Sequence, residues 1–311
     1  MSTVDTRPSA GGSTSHERHR AITSALARAG AVATADDRRE LVARLIVEGP
    51  EGGMRWALDQ KRQRGPLGAL ARKLQAIVDV PRWGHHELVD LRAADDADGT
   101  RFITRGCAEW PEQLNDLGDL APIGLWVQGA IPDMGDGAIS IVGSRNLSST
   151  GHSRIDRAVT GLPVPIISGL ALGADETAHR AALLRGVPTV AVLPSGIDKP
   201  YPHVNRHLAE RIVASGGALI TETPAGIGTA RHRFLDRNRI IAALSTGSLI
   251  VEAGAISGTM SEARHAHALR RRLAAFPGTA GCDQLIASGM AYPVISRTDV
   301  DALYTPDVAT S

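Results

Sequence analysis

Ile139-Ser140-Ile141-Val142-Gly143-Ser144-Arg145 is a short apolar run that stops on a glycine and turns polar and cationic. Four residues are too few for a helix, and the β-branched content suits a pleated strand. A run apolar nearly throughout predicts a strand covered on both faces, as in a parallel sheet. The pattern recurs at Leu125–Val127, Pro165–Ile167, Thr189–Leu193, Ala218–Ile220, Ser248–Val251, Leu273–Phe276 and Pro293–Ile295. Between these runs, amphipathic stretches predict helices at Ser153–Gly161, Asp175–Arg185, Arg206–Ala214, Arg237–Leu244, Thr259–Arg271 and Gly281–Ser288, with Gly186 closing the second of them. Strand and helix in alternation make an α/β chain with a parallel sheet. In such a sheet, ligands sit beyond the carboxyl ends of the strands, so function is to be sought in the βα loops.

Outside this region the chain reads differently. Residues 1–20 mix Ser, Thr, Gly, Pro and charges without apolar periodicity and read as a solvated tail. Residues 21–91 carry apolar positions at helical spacing (Ile22, Ala25, Leu26; Leu41, Val42, Leu45; Leu67, Leu70, Leu74), broken at Gly49-Pro50, Gly65-Pro66 and Pro81. They predict a small helical domain. Residues 92–100 are acidic and lack large apolar groups, which suits a linker; the α/β domain then spans 101–296, and 297–311 form a C-terminal tail.

The totals agree with a globular α/β protein. The chain has 311 residues, 43% of them hydrophobic, with 33 Gly and 3% aromatics, a balance that favours tight βα turns over an aromatic all-β core. No apolar run approaches the roughly 20 residues that span a bilayer, and the N-terminus lacks a signal-type apolar core, so the cytoplasm is the expected compartment and no membrane contact is expected. Cys107 and Cys282 are too few for a disulfide framework or a cysteine metal site, and no cofactor is expected. With 34 basic against 33 acidic residues, any contact with nucleic acid must be local. Arg231, Arg233, Arg237 and Arg239 supply such a cluster, with Asp236 the single acid among them.

Two loops place glycine where a backbone approaches an anion: Gly143-Ser144-Arg145, and Ser168-Gly169-Leu170-Ala171-Leu172-Gly173-Ala174-Asp175. Glycine lets N–H groups point at phosphate oxygens, a hydroxyl adds a donor, and Arg adds a charged fork. Further on stand Pro194-Ser195-Gly196-Ile197-Asp198-Lys199-Pro200-Tyr201-Pro202 with Asn205, then Phe234-Leu235-Asp236-Arg237-Asn238-Arg239-Ile240-Ile241, Val251-Glu252-Ala253-Gly254-Ala255-Ile256-Ser257-Gly258-Thr259, and Phe276-Pro277-Gly278. In this order and spacing the segments resemble the DNA-processing protein A (DprA/Smf) family over roughly Arg101 to Met290.

The resemblance implies an extended Rossmann-like domain, with helices on both faces of a parallel sheet, that binds single-stranded DNA. It also implies a homodimer, a hand-over of the strand to a RecA-type recombinase during DNA uptake, and no catalysis. By resemblance, Gly143, Ser144 and Arg145 hold one phosphate and Ser168 and Gly169 another. Lys199, Arg237 and Arg239 form a positive rim, and Asn238, Ser257, Gly258 and Thr259 complete the DNA-binding set. Asn205 and Asn238 suit loop orientation through backbone hydrogen bonds better than DNA contact. Relatives usually carry Arg where Leu172 stands, and the chain ends at Ser311 without the C-terminal winged helix of many relatives.

Other readings stand beside these. Arg145 can be a surface ion pair, Arg239 can pair with Glu252, and Asp175 can cap the helix after it. His203 and His207 are four apart but lack a third ligand, and read as surface histidines. Gly258-Thr259 with Glu262 is similar to a loop of nucleoside-phosphate phosphoribohydrolases, where a carboxylate assists cleavage of the base–ribose bond. A capping box, Thr259 to Glu262, accounts for the same residues and is the preferred reading.

Overall fold

The computed structural model describes residues 99–104, 107–122, 124–223 and 228–305. The expected tail at 1–20, the helical domain at 21–91 and nearly all of the expected linker lie outside them.

Among the described residues nine strands form one sheet: β1 (Thr100–Thr104), β2 (Gly124–Gly129), β3 (Ile139–Val142), β4 (Ile166–Ser168), β5 (Thr189–Val192), β6 (Ala218–Thr221), β7 (Gly247–Ile250), β8 (Arg272–Ala275) and β9 (Tyr292–Pro293). Their order is β1-β2-β6-β5-β4-β3-β7-β8-β9. From β6 to β9 every pairing is parallel, while β1–β2 and β2–β6 are antiparallel. The expected Rossmann-like parallel sheet is thus present, and β1 and β2 extend it as an antiparallel flank.

The helices are α1 (Ser149–Val159), α2 (Ala174–Arg185), α3 (Arg206–Ala214), α4 (Arg231–Leu244), α5 (Gly258–Ala268), α6 (Ala280–Ala287) and α7 (Arg297–Asp301). A kinked 3-10 segment, Glu112–Leu120, precedes β2. Ser148 starts α1 by accepting the Gly151 N–H, and Gly186 ends α2 in the left-handed conformation. α7 lies within the expected tail and opens with a capping box between Ser296 and Asp299. α4 begins at Arg231, six residues before the expected start.

Alternation along the strands sorts side chains into two layers. Ile139, Ile141 and Leu249 face α1, α2 and α7, while Leu208 and Ile212 of α3 cover Ala191 and Leu219 on the same side. Val142, Ile167, Val190, Val192 and Ile250 face α4, α5 and α6. The central strands β3 and β7 are buried at all four positions, as their apolar runs require. The chain winds outward from β3 through β4, β5 and β6, then returns to β7 on the other side of β3. The loops after β3 and β7 thus leave toward opposite faces and open a crevice between them, the switch point where such sheets take ligands.

Candidate nucleic-acid interface

The loops after β3, β4, β5, β7 and β8 all emerge at the same carboxyl edge of the parallel strands. Three of its elements meet in one contact. The Arg145 guanidinium, from the β3–α1 loop, stacks 5.1 Å from the centre of the Phe234 ring in α4. Phe234 meets Tyr201 of the β5–α3 loop edge-on, ring centres 5.6 Å apart. Arg145 is exposed and Tyr201 is 42% exposed, so a cation and an aromatic face line one opening. This contact leaves the surface ion pair reading of Arg145 without a carboxylate partner among the described residues.

Beneath the opening lies a buried charged layer. Arg237, 6% exposed, donates from Nη1 to the carbonyls of Gly169 (2.7 Å) and Val192 (2.5 Å), and from Nε to Asn238 Oδ1 (3.2 Å). Asp175 faces it; burial raises the Asp175 pKa, and Arg237 and the Ala171 N–H oppose the rise. Burial likewise lowers the Arg237 pKa, with Asp175 opposing. Asp175 sits inside α2 and accepts from the Ala171 N–H at 3.2 Å, so it ties down the preceding loop and does not cap the helix; Gly173 holds that position.

Glycine serves packing here. A Cβ on Gly169 would fall 2.1 Å from Arg237 Nη1, and one on Gly173, at φ +77°, would fall 2.3 Å from the Ser144 carbonyl oxygen. A Cβ on Gly143 would lie 2.9 Å from that of Ala174. The β3, β4 and β7 loops are thus pressed together at glycines.

Several residues expected at the DNA rim occupy other places. Ser168 is fully buried and donates to the Ile141 carbonyl at 2.6 Å. Gly169 and Arg237 form the floor, and Asn238 donates to the Gly258 carbonyl at 3.0 Å. Asn205 donates to the Leu170 carbonyl at 3.0 Å, the loop-orienting role expected of both asparagines. Arg239 is committed to a two-pronged pair with Glu222 (2.7 and 2.6 Å) and to the Leu120 carbonyl, so its expected partner Glu252 is replaced. Glu252 instead accepts from the N–H and hydroxyl of Ser148 at the start of α1. The cluster Arg231–Arg239 is therefore divided: Arg237 and Arg239 are internal, Arg231 is exposed, and Arg233 donates to the Gly228 carbonyl.

Ser144 Oγ lies 3.1 Å from both the N–H and the carbonyl oxygen of Asn146, which shapes its own loop. Lys199 is exposed in the β5–α3 loop, where Ser195 Oγ donates to its carbonyl. Gly258 is exposed at the start of α5, and Ser257 Oγ is buried with no hydrogen-bond partner among the described residues.

The capping box at α5 is absent: Thr259 Oγ1 donates to the Gly143 carbonyl at 3.1 Å, bridging the β3 and β7 loops. Glu262 points into the sheet. Its Oε1 accepts from Ser140 (3.0 Å) and Ser248 (2.8 Å), residues paired across β3 and β7. Its Oε2 is buried with no hydrogen-bond partner among the described residues, and burial pushes the pKa of the Glu262 carboxyl up to about 7. Sequence reading missed this trio, although a serine at matching depth in two apolar strands is its signal. His203 and His207 are exposed, and among the described residues no three His, Cys, Asp or Glu side chains converge as a metal site. No described helix is long and apolar enough to cross a membrane.

The family model of DNA recombination-mediator protein A matches residues 101–304. The chain is 38% identical over 234 residues to a DprA relative from Mycobacterium tuberculosis, covering 67% of this chain and 59% of that one. It is 34% identical over 199 residues to the DNA processing protein DprA of Streptococcus pneumoniae, covering 61% of this chain and 70% of that one. With protein Smf of Escherichia coli it shares 36% over 175 residues, 55% of this chain and 46% of that one. The alignments thus take in 46–70% of these relatives' lengths. Among solved structures, DprA of Streptococcus pneumoniae superposes with a TM-score of 0.64 at 24% identity, over 94% of this chain and 99% of that one. DprA of Helicobacter pylori, whose structure was described for its single-stranded DNA binding mode, gives 0.59 at 24% identity, over 67% of this chain and 96% of that one. Both share the fold.

Proposed function

Since the chain belongs to the DNA recombination-mediator protein A family, we propose that its switch-point crevice binds the phosphodiester backbone of single-stranded DNA and passes the strand to a RecA-type recombinase. The observation that carries this reading is the meeting of Arg145, Phe234 and Tyr201 from three separate elements at one opening. A guanidinium offers phosphate a charged fork, and an aromatic face accepts a base without regard to its identity. Arg237 beneath, faced by Asp175, fixes the loops that shape the crevice, and Lys199 adds a cation at the β5 loop. Binding is backbone-dominated and tolerant of sequence. The protein holds the strand as a homodimer of this chain in the cytoplasm, in DNA uptake or recombination, and does not cleave it.

Fluorescence anisotropy with labelled oligonucleotides tests the reading. The logarithm of the binding constant falls linearly with the logarithm of the salt concentration, as released counterions require. Arg145→Ala weakens binding by about 1–3 kcal/mol and reduces the salt slope by roughly one phosphate contact. Salt-independent binding, or an Arg145→Ala protein as tight as the parent, rejects it. Transfer to the recombinase is read as a shortened lag in its strand-dependent ATP hydrolysis. The phosphoribohydrolase reading loses its support here, because Glu262, 1% exposed, is turned away from the opening into the helix–sheet layer.

A further inference from the structure

We propose that the groove between α1 and α2 carries the outgoing stretch of the same single strand, an inference that rests on the crevice reading above. The groove, about 1090 Å³, opens at Arg145 and Leu172 beside the crevice and continues between the two helices to Arg157 and Leu184. Continuity with the crevice and charge together select the occupant. Each carboxylate lining the groove is already matched: Glu176 by Arg180 at 2.8 Å, and Asp156 by Arg185 at 2.6 Å. Arg157 reaches no carboxylate among the described residues and donates to the Ser153 carbonyl at 3.3 Å. Arg145 at one end and Arg157 at the other therefore leave the groove cationic after its internal pairs are formed. Its apolar contribution is aliphatic, Leu172 at 44% and Leu184 at 78% exposure, a surface against which bases rest while phosphates meet arginine. The two helices are tied to each other by His152 with Thr177 (2.9 Å) and by Asp156 with Arg185 (2.6 Å), so the strand lies over these contacts. An acidic peptide would satisfy the charge but has no cause to begin at Arg145.

The experiment compares oligothymidylates of about 6 and about 20 nucleotides, within and beyond the site size of a single basic groove, on the full chain. Arg157→Glu is exposed and breaks no ion pair, so the fold is retained. Its expected effect is unchanged affinity for the short oligonucleotide and about tenfold weaker binding of the long one, with a shallower salt slope. Arg157→Lys, which keeps the charge, restores the long-oligonucleotide affinity. Equal behaviour of Arg157→Glu toward both lengths, or no effect on either, overturns the inference. Failure of the parent protein to bind either length instead removes the crevice reading on which it rests.

Discussion

Glu262 shows how one residue's surroundings turn into pH dependence. Its carboxyl ionises near 4.5 in an unfolded chain and at about 7 when folded, because burial outweighs the two serine hydrogen bonds. The folded state thus holds the proton more tightly. Stability from this group is fully present below pH 4.5 and is lost as pH rises through 7, a change of about 3 kcal/mol. His179 acts in the opposite sense: burial lowers its pKa to about 3, so its contribution is present above pH 6.5 and is lost as pH falls toward 3. The two overlap between 4.5 and 6.5 and partly cancel in the parent protein. The difference between parent and Glu262→Gln separates them: by thermal melts, the variant gains on the parent from pH 5 to pH 8. A constant difference across that range rejects the assignment. None of this was legible in the sequence, where Glu262 reads as the end of a capping box. Spacing along one helix cannot show that a strand serine 122 positions away faces the same carboxylate.

At the scale of elements, the β4 loop, the end of β5 and α4 are held by one guanidinium, Arg237. Gly169→Ala puts a methyl 2.1 Å from that group and forces it off the Gly169 and Val192 carbonyls. Each charged hydrogen bond is worth about 1.5–3 kcal/mol, so the urea midpoint falls with little change in slope. An unchanged midpoint would show that the loop relaxes around the methyl. The parallel strands were legible because their apolar runs end on glycine, proline or a polar residue, and α3 matched its expected bounds. β1 was missed for a physical reason: Thr100-Arg101-Phe102-Ile103-Thr104 belongs to an antiparallel flank strand, and only its centre is apolar. The early start of α4 was hidden because Arg231–Asp236 is mostly polar. Gly143, Ser144 and Arg145 lie in the loop after β3, a position their sequence made legible, whereas Arg237 and Arg239 were expected at the rim because a run of arginines gives no sign of which carbonyls or carboxylates will claim them.

Across the described residues, β3 and β4 are buried at every position, whereas β9 has two residues, both half-buried. Hydrogen exchange read by mass spectrometry is expected to be slowest over Ile139–Val142 and Ile166–Ser168 and faster at Tyr292, the one residue of β9 with an amide proton. Equal protection from centre to flank would contradict the layering described above. The seam between β3 and β7 joins the outward-wound half of the sheet to the half added on its return, and Ser140 and Ser248 stand side by side there under Glu262. A slide of either strand by a single residue would present Ile141 or Leu249 to the carboxylate and turn a hydroxyl into aliphatic packing. A shifted register would therefore leave the buried carboxylate without its two hydroxyl donors at the join between the two windings, a cost that the native alignment avoids.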